Sequence, residues 1–151
     1  MGEALQRRLK QARFESPHHE AFLNLMVAAA HIRARLDAVC AEHGITEAQS
    51  NVLRILRGAS DGYPRCDITD RMVERAPDVT RLIDRLEQQQ LVERERSGRD
   101  RRLSITRISR KGLELLERMQ RPVNAIHEEL VARVSTHDAR ELSRILESLY
   151  G

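Results

Sequence analysis

Tryptophan is absent from this chain of 151 residues, and tyrosine and phenylalanine contribute two residues each. So small an aromatic complement argues against a surface that stacks unpaired bases on rings. Lysine is scarce as well: Lys10 and Lys111 stand alone among 26 basic residues, the rest being arginine. Arginine offers a planar fork suited to guanine edges and phosphates, although codon usage in a GC-rich genome explains a global preference equally well. The two cysteines, Cys40 and Cys66, are too few for a disulfide scaffold and lack metal-ligand spacing, which predicts a reduced, cytoplasmic protein. No apolar run approaches the ~20 residues of a membrane span, and the stretch from Met1 to Arg8 has no apolar core of a secretory signal. A Gly-rich phosphate loop, a Gly-x-Ser-x-Gly elbow and a His-Glu-x-x-His helix are all missing. The chain therefore does not read as an enzyme, and no catalytic residue, cofactor or metal is expected.

Charge is abundant, at 32% of residues, yet the net charge is only +3. Its placement is uneven. Between Glu93 and Lys111, eight bases (Arg94, Arg96, Arg99, Arg101, Arg102, Arg107, Arg110 and Lys111) face three acids (Glu93, Glu95 and Asp100). That segment carries +5, so the rest sums to about −2. Codon bias does not explain such clustering. A local positive field is what docking to an anionic partner requires.

At this length the chain is about one domain, and most of it reads as helix. Ser16-Pro17 is an N-cap followed by proline at the first helical position, and Phe22, Leu25, Met26, Ala29, Ile32, Leu36, Val39 and Cys40 recur at helical spacing until Gly44. Thr46 to Gln49 forms a capping box opening a helix through Val52, Leu53, Ile55 and Leu56. A loop from Gly58 to Pro64 precedes a short helix around Ile68 to Val73, and a second helix begins at Ala76-Pro77-Asp78 and ends near Gln90. An arginine-rich hairpin follows, from Val92 to Thr106 with its tip at Ser97 to Asp100. Ser109 caps a long helix that Pro122 should kink, and Ser135 to Asp138 is a second capping box, before Leu142, Ile145, Leu146 and Leu149. Short helix, turn, second helix and basic hairpin is the order of a winged helix-turn-helix. The fold class is thus mostly α with a small β-wing, flanked by N- and C-terminal helices.

In the second helix, Leu82, Leu86 and Val79 are expected to pack inward, leaving Thr80, Arg81 and Arg85 to face DNA. Thr80 suits a thymine methyl or a phosphate, and Arg81 suits guanine. The competing reading is that these arginines pair with Asp78, Asp84 or Glu87 on a solvated surface. In the hairpin, Leu103 and Ile105 are expected to anchor the returning strand. Gly98 gives the tip backbone freedom, and Asp100 can hold Arg102 by a charge-assisted fork, with Arg99 and Arg101 close by.

Several of these stretches agree in order and spacing with one family. Thr46-Glu47-Ala48-Gln49, Asn51 to Leu56, Val79 to Glu87, and Asp100-Arg101-Arg102 followed by Ile108-Ser109 resemble the MarR family of bacterial transcriptional regulators. The resemblance runs from about Ser16 to Leu149. It implies a single MarR-like domain over 1–151, with a winged helix-turn-helix at about 46–109 and dimerisation helices at about 16–43 and 110–150. It further implies a homodimer on double-stranded DNA at a pseudo-palindromic operator, repressing until a small aromatic or anionic effector binds. One helix would enter the major groove and Arg102 the minor groove, with Arg99 and Arg101 sharing that role. His31 and Arg35 are polar candidates for the effector site. Two positions depart from the family pattern. Ala76 stands where relatives often carry a capping serine, and Gln90 stands where glycine often ends the helix.

Three other readings compete. A winged-helix module that binds an acidic protein or RNA would also use a basic wing. A metal-responsive regulator needs convergent ligands, and the six histidines form no His-x-x-x-His pair near His127-Glu128. A thiol switch would rest on Cys66, since Cys40 lies on an apolar helix face.

Overall fold

The computed structural model describes residues 2–96 and 104–151, with the side chain of Arg96 excepted. Seven helices and three short strands are seen among the described residues: α1 (Glu3–Leu9), α2 (Pro17–Glu42), α3 (Glu47–Arg57), β1 (Tyr63–Pro64), α4 (Arg65–Arg71), α5 (Val79–Gln88), β2 (Val92–Arg96), β3 (Ser104–Ile108), α6 (Arg110–Arg133) and α7 (Thr136–Glu147). The mostly helical class with a small β-wing is borne out. Helix α1 and strand β1, the latter inside the expected loop, were not anticipated.

The chain divides into two compact units, one ending at Ala38 and one running from Val39 to Gly151. In the first, Leu5 of α1 is buried, and the Ser16 hydroxyl accepts the His19 N–H at 3.1 Å, as its reading as an N-cap requires. The apolar positions Phe22, Leu25, Met26 and Ile32 of α2 are exposed.

The second unit holds the core. Val52, Leu53 and Leu56 of α3 are wholly buried, packed in one cluster with Ile68 of α4, Val79, Ile83 and Leu86 of α5, Leu91, Val92, and Leu115, Leu116 and Met119 of α6. Burying one such side chain stabilises by about 1.5–3 kcal/mol, so α3 is firmly held by its apolar face. Its capping box is complete: the Thr46 hydroxyl accepts the Gln49 N–H at 3.2 Å, and the Gln49 carbonyl oxygen accepts the Thr46 N–H at 2.9 Å. The chain reaches α3 through Gly44, at φ 73°. This conformation is cheap only for glycine.

Leu82 was expected inside but is half-buried; Ile83 takes the inward position. Leu116 and Met119 fall in the stretch 110–150 expected to form a dimerisation helix. They are 3% and 1% exposed and belong to the core of this unit instead. The α-helix runs unbroken through Pro122. At Ser135 only half of the expected box forms: its hydroxyl accepts the Asp138 N–H at 3.1 Å and donates to the Asp138 carboxylate at 2.7 Å. No residue of α7 is buried.

The sheet is antiparallel in the order β1-β3-β2, with Tyr63 opposite Thr106 and Arg94 opposite Thr106 on the other side. Expected alternation placed Ile105 inward. Thr106 is the buried residue of β3, and Ile105 is half-buried. The register follows from period two: Val92, Arg94, Thr106 and Ser104 share the face toward α5, and Arg94 is tolerated there because α5 supplies two carboxylates.

Candidate nucleic-acid interface

α5 is built to present one face. Val79, Ile83 and Leu86, spaced by four and three, fasten it to the core, and Thr80, Arg81 and Arg85 lie exposed on the opposite side. The helix begins later than the sequence suggests. Its cap is Asp78, whose carboxylate accepts the Arg81 N–H at 3.0 Å, while Ala76 packs partly buried against the core. The missing serine is thus replaced two residues on by a carboxylate, which also favours the positive end of the helix dipole.

Asp78 has a second task. Its other oxygen lies 3.1 Å from Arg81 Nε, so the surface pairing that competed with a DNA contact does occur. Arg81 is 78% exposed in that pair, and exposed pairs of this kind contribute about 0–1 kcal/mol. Such a pair pre-orients a guanidinium without locking it. Arg85 has no ion-pair partner among the described residues. Asp84 and Glu87, the other carboxylates suspected of pairing within α5, are both taken by Arg94 of β2. The Glu87 carboxylate, helped by Asp84, raises the Arg94 pKa above its ordinary value against partial burial. Arg94 therefore ties the wing to α5 and contributes little free positive charge. On the opposite strand, Arg107 pairs with Glu95. Arg110 pairs with Glu114, and Lys111 donates to the Gln89 carbonyl at 2.8 Å. Much of the basic cluster that stood out in the sequence is thus spent on internal contacts. Arg99, Asp100, Arg101, Arg102 and Leu103 lie outside the described residues.

The far end of α5 is closed without glycine. Gln90 adopts φ 62°, its N–H reaches the Glu87 carbonyl at 2.8 Å, and the Leu91 N–H reaches the Leu86 carbonyl at 2.9 Å. This is a Schellman ending with glutamine in the left-handed position, at a cost of about 1 kcal/mol. Neighbours hold it there. The Ser109 hydroxyl donates to the Gln90 carbonyl at 2.7 Å while accepting the Gly112 N–H at 3.0 Å, and the Ser109 N–H meets the Leu91 carbonyl at 3.0 Å. A Cβ at Gly112 would come within 2.3 Å of the Leu91 oxygen, so only glycine permits this approach. The Gln89 side chain completes the junction, donating to the Gly44 carbonyl at 3.1 Å.

One contact escaped sequence reasoning because its partners are 15 residues apart. Arg65, the first residue of α4, donates to the Thr80 hydroxyl at 2.9 Å. Arg65 and Thr80 border a cleft of about 160 Å³, whose other walls are Ile83, Arg94, Ser104 and Thr106. A second cleft, of about 100 Å³, lies between α3 and α6 and is lined by Arg54, Arg57 and His127 above Leu116, Met119 and Val123. Among the described residues no group of three or more His, Cys, Asp or Glu side chains is placed to hold a metal ion, and no helix is long and apolar enough to cross a membrane. Cys40 is buried; Cys66 is exposed, its thiol 3.6 Å from the Asp67 carboxylate.

Comparison with known proteins gives this geometry a context. Residues 45–104 match the MarR family. A MarR transcription factor from Planctomyces limnophilus, known from its crystal structure, is 34% identical, with a TM-score of 0.69 over 89% of this chain and 98% of that one. The HTH-type transcriptional regulator MhqR of Bacillus subtilis (strain 168) is 27% identical over 106 residues, covering 70% of this chain and 72% of the relative. The fold is shared with S. aureus MepR, solved as a complex with DNA, at a TM-score of 0.75 and 22% identity over 85% of this chain and 94% of that one.

Proposed function

The chain belongs to the MarR family of DNA-binding transcriptional regulators, and we propose on that footing that it is a homodimeric, ligand-responsive repressor of a pseudo-palindromic operator. The observation that carries the reading is α5: its apolar side is sealed into the core and its exposed side offers Thr80, Arg81 and Arg85. An α-helix so presented fits the major groove, with Arg81 on a base edge and Thr80 and Arg85 beside it. The wing residues Arg99, Asp100, Arg101 and Arg102 serve the adjacent minor groove in this reading, with Arg102 inserted and Asp100 orienting it.

The dimer is supported by apolar side chains left uncovered in each unit. α2 exposes Phe22, Leu25, Met26 and Ile32; α6 and α7 expose Leu130, Val131, Leu142 and Ile145, with Leu149 exposed just beyond α7. A two-fold interface is the economical way to cover both sets, and it places two α5 helices for half-sites about 34–36 Å apart or a multiple of that. The effector is assigned to the cleft between α3 and α6, where Arg54, Arg57 and His127 over an apolar floor suit a small aromatic anion. His31 and Arg35, the polar candidates read from the sequence, lie on the α2 stretch of the other unit. Such a ligand releases DNA only if it prefers a dimer with wrongly spaced α5 helices.

Selection of bound fragments from the source genome, followed by gel shifts on the recovered sites, tests the core of this reading. Sequence-selective binding to a pseudo-palindrome is expected. Uniform, salt-sensitive binding to any polyanion would favour an RNA- or protein-interaction module instead. A screen of aromatic acids for compounds that shift both melting temperature and operator affinity tests the effector cleft.

A further inference from the structure

We infer that the cleft bounded by Arg65, Thr80 and Ser104 is a seat for one phosphate of the DNA backbone. Arg65 supplies its charge, and the two hydroxyls supply further donors. The inference rests on the DNA-binding reading above and extends it to a contact outside α5 and the wing tip.

Three observations converge on the site. First, Arg65 has no carboxylate partner among the described residues, whereas Arg71 of the same helix pairs with Asp67 and Arg94 on the cleft wall pairs with Asp84 and Glu87. The Arg65 guanidinium is instead steered by a neutral group, donating to Thr80 Oγ1 at 2.9 Å. Its charge stays available for an anion. Second, a hydroxyl that accepts from a guanidinium still has its own proton to donate, so Thr80 offers a donor beside Arg65. Third, Ser104 lines the same cleft with its Oγ buried and without a hydrogen-bond partner among the described residues. An unpaired buried hydroxyl is costly, and a ligand oxygen or a water satisfies it.

The donor set selects the ligand class. A tetrahedral phosphate presents oxygens in several directions and can accept from three separated donors at once, while a planar carboxylate is matched best by a single fork. Ile83 and Thr106 give a floor that offers no competing acid, and the Arg94 charge on the remaining wall is already taken up by Asp84 and Glu87, which leaves Arg65, among the described residues, as the free cation of the cleft. The cleft also borders the start of α5, where a backbone phosphate passes when the helix enters a groove. Thr80 then acts as a positioning residue for Arg65 and a phosphate donor, rather than as a reader of a thymine methyl.

The full chain is titrated with operator and random duplexes across a salt series. Arg65→Ala is expected to weaken both duplexes by the same factor, about five- to ten-fold per protomer near 0.15 M salt, and to lower the slope of log K against log salt by about 1 for each Arg65 lost, hence by about 2 for a dimer. Arg65→Lys should keep that slope. Thr80→Val should cost less in the Arg65→Ala background than in the wild type, because the two side chains act as one unit. In a methylphosphonate scan of the operator, one backbone position should weaken the wild type yet leave Arg65→Ala unaffected. An unchanged salt slope in Arg65→Ala, additive effects of Arg65→Ala and Thr80→Val, or a loss confined to the operator overturns the phosphate seat. If inorganic phosphate stabilises the wild type but not Arg65→Ala, and no methylphosphonate position discriminates them, the seat takes free phosphate and the DNA assignment is overturned. A wild type that binds no duplex overturns the regulator reading and this inference together. One that binds duplex and is matched by Arg65→Ala overturns this inference alone.

Discussion

Helices α3 and α7 look alike on paper and behave as opposites. They have 11 and 12 residues, each opens on a hydroxyl cap, and each carries an apolar stripe. α3 buries Val52, Leu53 and Leu56 completely, whereas α7 buries nothing, and Leu149 just beyond its end is 66% exposed. Twelve residues are marginal as an isolated helix in water, so α7 depends on contacts outside the core that surrounds α3. An amphipathic pattern states that a face will be covered; it does not state by what. In this chain one stripe closes the core of its unit, and the other is left uncovered, the face that the proposed dimer would take.

The sharpest way to break that contrast is to attack each stripe in turn. Leu53→Ala leaves a hole in a filled core and should cost about 2–5 kcal/mol of unfolding free energy, read by denaturant titration. Replacing Ile145 and Leu149 together with aspartate should leave the core intact. It should nevertheless convert the dimer to monomer in sedimentation and weaken operator binding about 100-fold or more, since two tethered half-site contacts become one. A wild-type monomer at micromolar concentration that still binds its operator tightly would make α7 a surface helix and end the comparison.

Smaller changes test α5 itself. Arg81→Ala should lower operator affinity by about 1–3 kcal/mol per lost base contact and relax preference at symmetric positions, because the Asp78 pair it gives up is nearly worthless in water. Equal loss on random DNA would reduce Arg81 to a phosphate contact. Gln90→Gly relieves a left-handed glutamine and should raise stability by up to about 1 kcal/mol with operator affinity unchanged, measured by thermal melting. No gain would mean that the Ser109 contact already holds Gln90 without strain.

The sequence was most legible where the physics is local. Thr46, Ser109 and Ser16 act within three residues of themselves, and each caps as its pattern implies. From α2 onward, the order and type of the helices followed from the sequence pattern, whereas α1 did not. What was hidden depends on residues far apart. The inward turn of Thr106 rather than Ile105 is set by Arg94 reaching across to Asp84 and Glu87, and no alternation of apolar letters encodes an ion pair. Asp78 took over the cap that Ala76 does not provide, which required knowing where α5 begins. Arg65 looked like one arginine among many until folding set it against Thr80. Leu116 and Met119 share a stripe with the exposed residues of the terminal helices, and only packing separates core from seam. The arginine-rich tip, the loudest signal in the sequence, is where the described residues stop, so the roles of Arg99, Asp100, Arg101 and Arg102 rest on pattern and resemblance.

The clasp at the base of the hairpin has an evolutionary consequence. The Leu91 carbonyl takes the Ser109 N–H, the Gln90 carbonyl takes the Ser109 hydroxyl, and Gly112 lets the two backbones touch. Everything between Leu91 and Ser109 is therefore an excursion that leaves from and returns to one fixed doorway. Lengthening such an excursion costs only about 0.6 kcal/mol for each doubling of its length. Changes of length in the hairpin are thus absorbed without renegotiating the helices on either side. Gly112, three residues beyond the doorway, is the position that licenses that freedom.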